Sequence, residues 1–265
     1  MQKINIYLEE DSILNLERLA KKSFQKLLLL TLGGNILDIN IFSNETFKNL
    51  EHLTLHGNSI KNIDVFEKAT FHQLKELSLE QNQINDIKGL VKSPFHNLIY
   101  LNLSKNKISD INPIKEFPFN ELETLNLDLN MIYNIDSLSQ ANFKELKQLY
   151  LYHNEIEDIK ALSNNNFTNL VDLNLANNKI VNIEVLSEVK FDKLIRLDLS
   201  NNQIYNIEVF GKIPFVHLQF LKIKNNNIQN YNVLNEAPFI SKIIFLEANI
   251  NCTNTKLSNK YQLSM

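Results

Sequence analysis

A single cysteine, Cys252, rules out an internal disulfide and the cysteine-rich end caps found on many secreted repeat proteins. Five glycines in 265 residues leave little material for flexible linkers. No long apolar run is present: Leu27 to Leu30 is far too short to span a bilayer, and the opening MQKINIYLEEDS lacks the apolar stretch of a secretory signal. A cytoplasmic setting is therefore expected, with the nucleus as an alternative and no membrane partner. Charge of one sign is also missing. With 27 basic and 30 acidic residues the formal charge is -3, which gives no electrostatic bias toward nucleic acid.

What the chain does have is repetition. Asn106, Asn130, Asn154, Asn178, Asn202 and Asn226 follow one another at intervals of 24 residues, and each sits in the same apolar frame. Around Asn154 the frame is Leu149 and Leu151 before it, then Ile156, Ile159, Leu162, Phe167 and Leu170 after it. The Leu-x-Leu half alternates with period two and reads as a short strand with both leucines inward. The Ile-x-x-Ile-x-x-Leu half has a spacing of three, which suits a tight helical or 3-10 return. One such unit cannot bury its own apolar edge, but a stack of them builds a continuous core. The Asn then falls at a corner where inward backbone groups lack ladder partners, and its carboxamide can both donate to and accept from them.

The pattern Leu-x-x-Leu-x-Leu-x-x-Asn-x-Ile-x-x-Ile-x-x-Leu resembles the leucine-rich repeat family over almost the whole chain. It is most similar to the short-repeat subclass of bacterial internalins and of the regulatory subunit of type-1 protein phosphatase, with Lys107 to Ile114 (KISDINPI) particularly internalin-like. It departs from that subclass by two extra residues per repeat and by Phe where Leu is usual. The resemblance implies an α/β fold: a right-handed, curved solenoid with a parallel sheet on the concave face and short helical or 3-10 turns on the convex side.

Residues 1–250 are expected to form one domain of about ten repeats, with 251–265 a polar tail. In the first repeat, 1–27, Ile6 and Leu8 take the strand slots, Asp11 the Asn slot, and Ile13 to Lys22 forms a full α-helix. The second copy, at Asn35, is one residue short, and a local irregularity is expected there. Pro94, Pro118, Pro214 and Pro238 each precede the repeat's Phe and end the return segment. Near Asn226 the pattern weakens, with Lys242 falling in a Leu slot, and a last strand is expected at Ile244-Phe245-Leu246 before Asn249.

Function is expected on the concave face, where residues flanking the strand leucines form one surface. Tyr150 and Tyr152 stand together with His153, and Tyr100 lies two repeats earlier; exposed tyrosines combine large contact area with a polar tip. The plainer alternative is that they are ordinary strand residues. Arg196, Phe220, Lys222 and Lys224 form a second, basic patch, unless Asp172 and Asp198 on neighbouring strands neutralise it. No catalytic constellation, metal site or cofactor motif is found: His52 and His56 are too far apart on a strand to share an ion, and His72 and His96 lack a third ligand. The expected role is a monomeric, non-catalytic protein-binding scaffold. Alternatives are a regulatory subunit of an enzyme such as a phosphatase, an extracellular adhesion module, or a fragment of a longer protein.

Overall fold

The computed structural model describes residues 2–7 through their backbone, and residues 27–43, 47–164 and 166–249 in full. Among the described residues the first leucine of each Leu-x-Leu pair lies in a strand, and the strands stack in chain order. They are β1 (Gln2–Tyr7), β2 (Leu27–Gly33), β3 (His52–Thr54), β4 (Glu76–Ser78), β5 (Tyr100–Asn102), β6 (Thr124–Asn126), β7 (Gln148–Tyr150), β8 (Asp172–Asn174), β9 (Arg196–Asp198), β10 (Phe220–Lys222) and β11 (Phe245–Glu247). All pair in parallel as one 11-stranded sheet, β1 through β11 without crossover.

From β3 to β10 the register advances by the sequence period, so Leu53, Leu77, Leu101, Leu125, Leu149, Leu173, Leu197 and Leu221 form one buried column. The isoleucines and leucines of each return segment, and the Phe column Phe71, Phe95, Phe119, Phe143, Phe167, Phe191, Phe215 and Phe239, are buried behind the sheet in a single core. Neighbouring Phe rings approach face to face, as in Phe71 and Phe95 with centroids 5.1 Å apart.

The return segments are 3-10 turns, such as Asp64–Lys68, Asp136–Gln140 and Glu208–Gly211. An Asn or Asp four residues after the repeated Asn launches each of them. Asn62 Oδ1 accepts the Asp64 N–H at 2.7 Å, Asp110 that of Asn112 at 2.8 Å, and Asn206 that of Glu208 at 2.8 Å. This local side-chain bond turns the backbone before the helical bonds form. The turn ends where expected before proline: Phe117, preceding Pro118, is extended with ψ 135°. Gly89 is needed for close approach, because a Cβ there would lie 2.3 Å from the Ile63 carbonyl oxygen of the previous repeat.

The repeated Asn faces inward as expected. Asn154 Nδ2 donates to the carbonyls of Leu127 at 3.0 Å and Leu151 at 3.2 Å, and its Oδ1 accepts the Ile132 N–H at 3.0 Å. Equivalent bonds at Asn58, Asn82, Asn106, Asn130, Asn178, Asn202 and Asn226 join each repeat to the one before it. The ladder therefore ties backbone to backbone across the stack.

Two expectations at the ends need correction, and the irregularity expected at the second repeat is present. In β1, Ile4 pairs with Leu30 and Ile6 with Leu32, so the register lies two residues from the expected Ile6 and Leu8. A two-residue slip preserves the inward-outward alternation, so sequence periodicity could not separate the alternatives. The helix expected at Ile13 to Lys22 lies outside the described residues, as does Asp11. At the second repeat Asn35 is exposed with φ 59°, and the missing residue falls in the Gly33 to Asn35 corner, so this Asn is outside the ladder. At the other end, Leu246 pairs with Leu221 and buried Ile243 takes the slot assigned to Lys242, which is exposed. The last repeat is thus one residue longer, and Asn249 instead accepts the Asn225 N–H at 2.5 Å.

Candidate functional site

The concave face is built by the residues flanking each buried strand leucine, which the pleat turns away from the core. Three columns run across it. Tyr100, Thr124, Gln148, Asp172, Arg196 and Phe220 are in register in one, and Asn102, Asn126, Tyr150, Asn174, Asp198 and Lys222 in the next. The third continues past the strand ends through Ser104, Asp128, Tyr152, Ala176, Ser200 and Lys224, where the N–H of the residue after each donates across to the next repeat.

Tyr100, Tyr150 and Tyr152 are each half-buried, and His153 is exposed. Tyr150 and Tyr152 rise from one strand line, with the His153 ring 5.8 Å from that of Tyr152. His153 holds a left-handed backbone, φ 55°, as do Lys105, Leu129, Asn177, Asn201 and Asn225 at the same place in their repeats. This turn aims the side chain out at the rim. The glycine and asparagines in that column (Gly57, Asn177, Asn201, Asn225) were the available sequence signal for it.

The eight expected residues do not form one pocket. From β5 to β10 they extend along a strip of about 24 Å, at about 4.8 Å per strand. Its carboxyl-terminal end is charge-balanced, not simply basic. Arg196 lies 4.0 Å from Asp172, Lys222 3.7 Å from Asp198, and Lys224 3.7 Å from Glu247. The Arg196 guanidinium also sits over the Phe220 ring at 5.0 Å. The alternative in which neighbouring acids neutralise this patch is the one observed.

Asp128 was not singled out by the sequence reading. Its Oδ1 accepts the Tyr152 backbone N–H at 2.6 Å. Burial pushes its carboxyl up to about 6, with the Tyr152 bond opposing. Burial likewise pushes the Tyr150 hydroxyl up to about 12, reinforced by the nearby charges of Asp172 and Asp128. Tyr100 is raised by burial first, against its bond to Asn102. Asp172 is raised by burial, with Arg196 pulling the other way.

The Asp128 shift has a sign that can be tested. A carboxyl that holds its proton to a higher pH when folded stabilises the folded state less as pH rises from about 4 to about 6, and the deficit is complete above that window. At face value the displacement amounts to about 3 kcal/mol, and solvent screening brings the expected effect to about 1–2 kcal/mol. Asp128→Asn, which keeps the acceptor for Tyr152, should therefore stabilise the chain at pH 7.5 by that amount and give no advantage at pH 3.5. Urea denaturation at the two pH values measures it; equal effects at both would contradict the assignment.

Elsewhere, a depression of about 790 Å³ lies on the outer flank, lined by Leu37, Asp38, Asn40, Asp64 and Lys88. It is shallow, polar and remote from the tyrosines. Among the described residues no three His, Cys, Asp or Glu side chains are grouped to hold a metal ion. No helix among them is long and apolar enough to cross a membrane.

The family models agree with this architecture. The one described as Leucine Rich repeats (2 copies) matches residues 48–92 and 144–188, and the one described as Leucine rich repeat matches 72–132. The chain is a leucine-rich repeat protein. Its solved structural neighbours share the fold. The chain with the FLRT2 leucine-rich repeats, from an octameric complex with latrophilin 3 and Unc5D, aligns at TM-score 0.69 and 24% identity over 89% of this chain and 72% of that one. Internalin C2 of Listeria monocytogenes aligns at TM-score 0.56 and 24% identity over 71% and 74%, respectively. The functional domain of InlJ from the same organism aligns at 0.60 and 20% over 94% and 55%. No curated protein matches this leucine-rich repeat sequence.

Proposed function

We propose that this leucine-rich repeat protein is a non-catalytic scaffold that binds a protein partner on its concave face. The observation that carries the reading is the placement of Tyr100, Tyr150 and Tyr152, each half-buried, on one continuous sheet surface. Large, rotamer-poor aromatic side chains lose little entropy on contact and dominate binding energy where they cluster. His153 and the Arg196, Phe220, Lys222 and Lys224 end extend the contact strip. The concave surface is the one long, uninterrupted face that stacked repeats offer, and the FLRT2 repeats occur in a structure with protein partners.

We further propose that residues 1–250 act as one module, that it works as a monomer, and that its setting is intracellular, as its single cysteine supports.

Affinity purification from the native cell tests the reading, comparing wild type with Tyr150→Ala, Tyr152→Ala and with a convex-side control, Tyr133→Ala, Tyr205→Ala. Tyr133 and Tyr205 are 65% and 62% exposed on the outer flank, so the control pair should fold, and the comparison is made with concave-pair protein verified as folded. The expected result is a partner kept by wild type and the control and weakened at least about 30-fold, or 2 kcal/mol, by the concave pair. Loss with the flank pair and retention with the concave pair would refute it.

A further inference from the structure

The carboxylates of the concave face are almost all spoken for. Glu76 lies 3.0 Å from His52 Nδ1, Glu80 2.7 Å from Lys105, Asp172 4.0 Å from Arg196, Asp198 3.7 Å from Lys222, and Glu247 3.7 Å from Lys224. Asp128 is the exception among the described residues: the face's ion pairs do not include it. Lys105 is the nearest basic residue by register, since its backbone N–H donates to the Asp128 carbonyl at 2.9 Å, yet its ammonium is taken by Glu80. One carboxylate oxygen of Asp128 accepts the Tyr152 N–H, and Oδ2 has no hydrogen bond from the described residues. The unpaired acid stands beside the two tyrosines at the middle of the sheet.

We propose that Asp128, beside Tyr150 and Tyr152 of the following repeat, is a recognition point for an arginine side chain of the protein partner, its carboxylate pairing with the guanidinium while a tyrosine ring covers one planar face. The inference rests on the concave-face reading above and names the chemistry of that contact. Charge complementarity selects a cation, because a partly desolvated carboxylate without a counter-ion gains most from one. The aromatic neighbours select guanidinium over ammonium, since the planar, weakly hydrated group stacks on rings and can pair with both carboxylate oxygens. A metal ion is disfavoured, as the described residues bring no second and third ligand to Asp128. The same face already shows the motif within the chain, where Arg196 lies over Phe220 and reaches toward Asp172. On the far side of Tyr152 the column drops to Ala176 and Ser200, both buried, which leaves the tyrosine ring clear of tall neighbours in that direction.

The test uses the full chain labelled with ¹³C at aspartate carboxyl carbons, with the Asp128 signal assigned by its loss in Asp128→Asn. Its pH titration is followed in about 0.1 M N-acetyl-arginine amide and in the same concentration of N-acetyl-citrulline amide, a neutral isostere, with ionic strength matched by sodium chloride. A site of about 50 mM affinity lowers the apparent pKa of Asp128 by about half a unit in the arginine compound. The citrulline compound should leave it unchanged, Tyr152→Ala should shrink the shift, and Asp172, which has Arg196, should move less. Equal titration of Asp128 in both compounds, or a shift no larger than that of Asp172, overturns the proposal. If that happens while the Tyr150→Ala, Tyr152→Ala pair still abolishes partner binding, the concave-face reading stands without the arginine contact. If the tyrosine pair binds normally, it is the face itself that has been misassigned.

Discussion

Phe95→Ala should lower the unfolding free energy by about 3–5 kcal/mol, the largest effect expected of any single substitution here. Phe95 is fully buried, stacked 5.1 Å from Phe71 with an interplanar angle of 19° and set edge-on to Phe66 at 5.5 Å. The space it fills cannot easily close. The strand on one side is hydrogen-bonded to both neighbouring repeats, and the Lys88–Leu90 turn on the other packs on the turn of the preceding repeat, so the walls are held at the repeat spacing. A cavity bounded by such fixed walls keeps most of its volume, which is the condition under which large-to-small substitutions cost most. Because coupling in a solenoid runs between nearest neighbours, the loss should also broaden the denaturation transition as the array separates near the fourth and fifth strands. A midpoint shift in urea worth less than about 1 kcal/mol would mean that the Phe column is not the packed spine described here.

Asn154→Ala should cost about 1–3 kcal/mol. The methyl group of alanine leaves the Ile132 N–H without the acceptor it has at 3.0 Å, inside a corner that water does not reach, and strips the Leu127 carbonyl of one of its two amide donors, the other being Asn130 Nδ2. Asn227→Ala is the matched control. Its side chain is exposed and its backbone lies outside the left-handed region, so its loss should lie within about 0.5 kcal/mol of wild type. Hydrogen exchange at the Ile132 amide should accelerate in Asn154→Ala before global unfolding does. If the two asparagine variants are equally stable, the inward ladder has no energetic role.

Most of the fold was legible because it is written many times. The Leu149 and Leu151 pair, the Ile156, Ile159 and Leu162 return, and the Asn154 corner each have a direct physical reading, and neighbouring repeats repeat it in step. What could not be read lies where repetition fails. At β1 two registers satisfy the same alternation, and the pairing of Ile4 with Leu30 follows from contacts that periodicity does not encode. At the last repeat one inserted residue moves Ile243 inward in place of Lys242, and a fixed period hides an insertion.

The candidate site was legible only as a list of columns. Tyr150 and Tyr152 could be placed on the concave face from register alone, and the pairing of Arg196 with Asp172 followed from adjacency. Asp128 could not be distinguished from Glu80 or Asp198 in sequence. Its distinction is that Lys105 turns to Glu80 and leaves it without a cation, which depends on side-chain directions that the repeat does not specify.

Hydroxyl-radical footprinting of the chain, with and without its purified partner, tests the concave-face assignment most directly, since tyrosines lie on both sides of the solenoid. The account predicts that oxidation of Tyr150 and Tyr152 falls sharply in the complex while Tyr133 and Tyr205, exposed on the outer flank, react as before. Protection of Tyr133 and Tyr205 with Tyr150 and Tyr152 unchanged would contradict it.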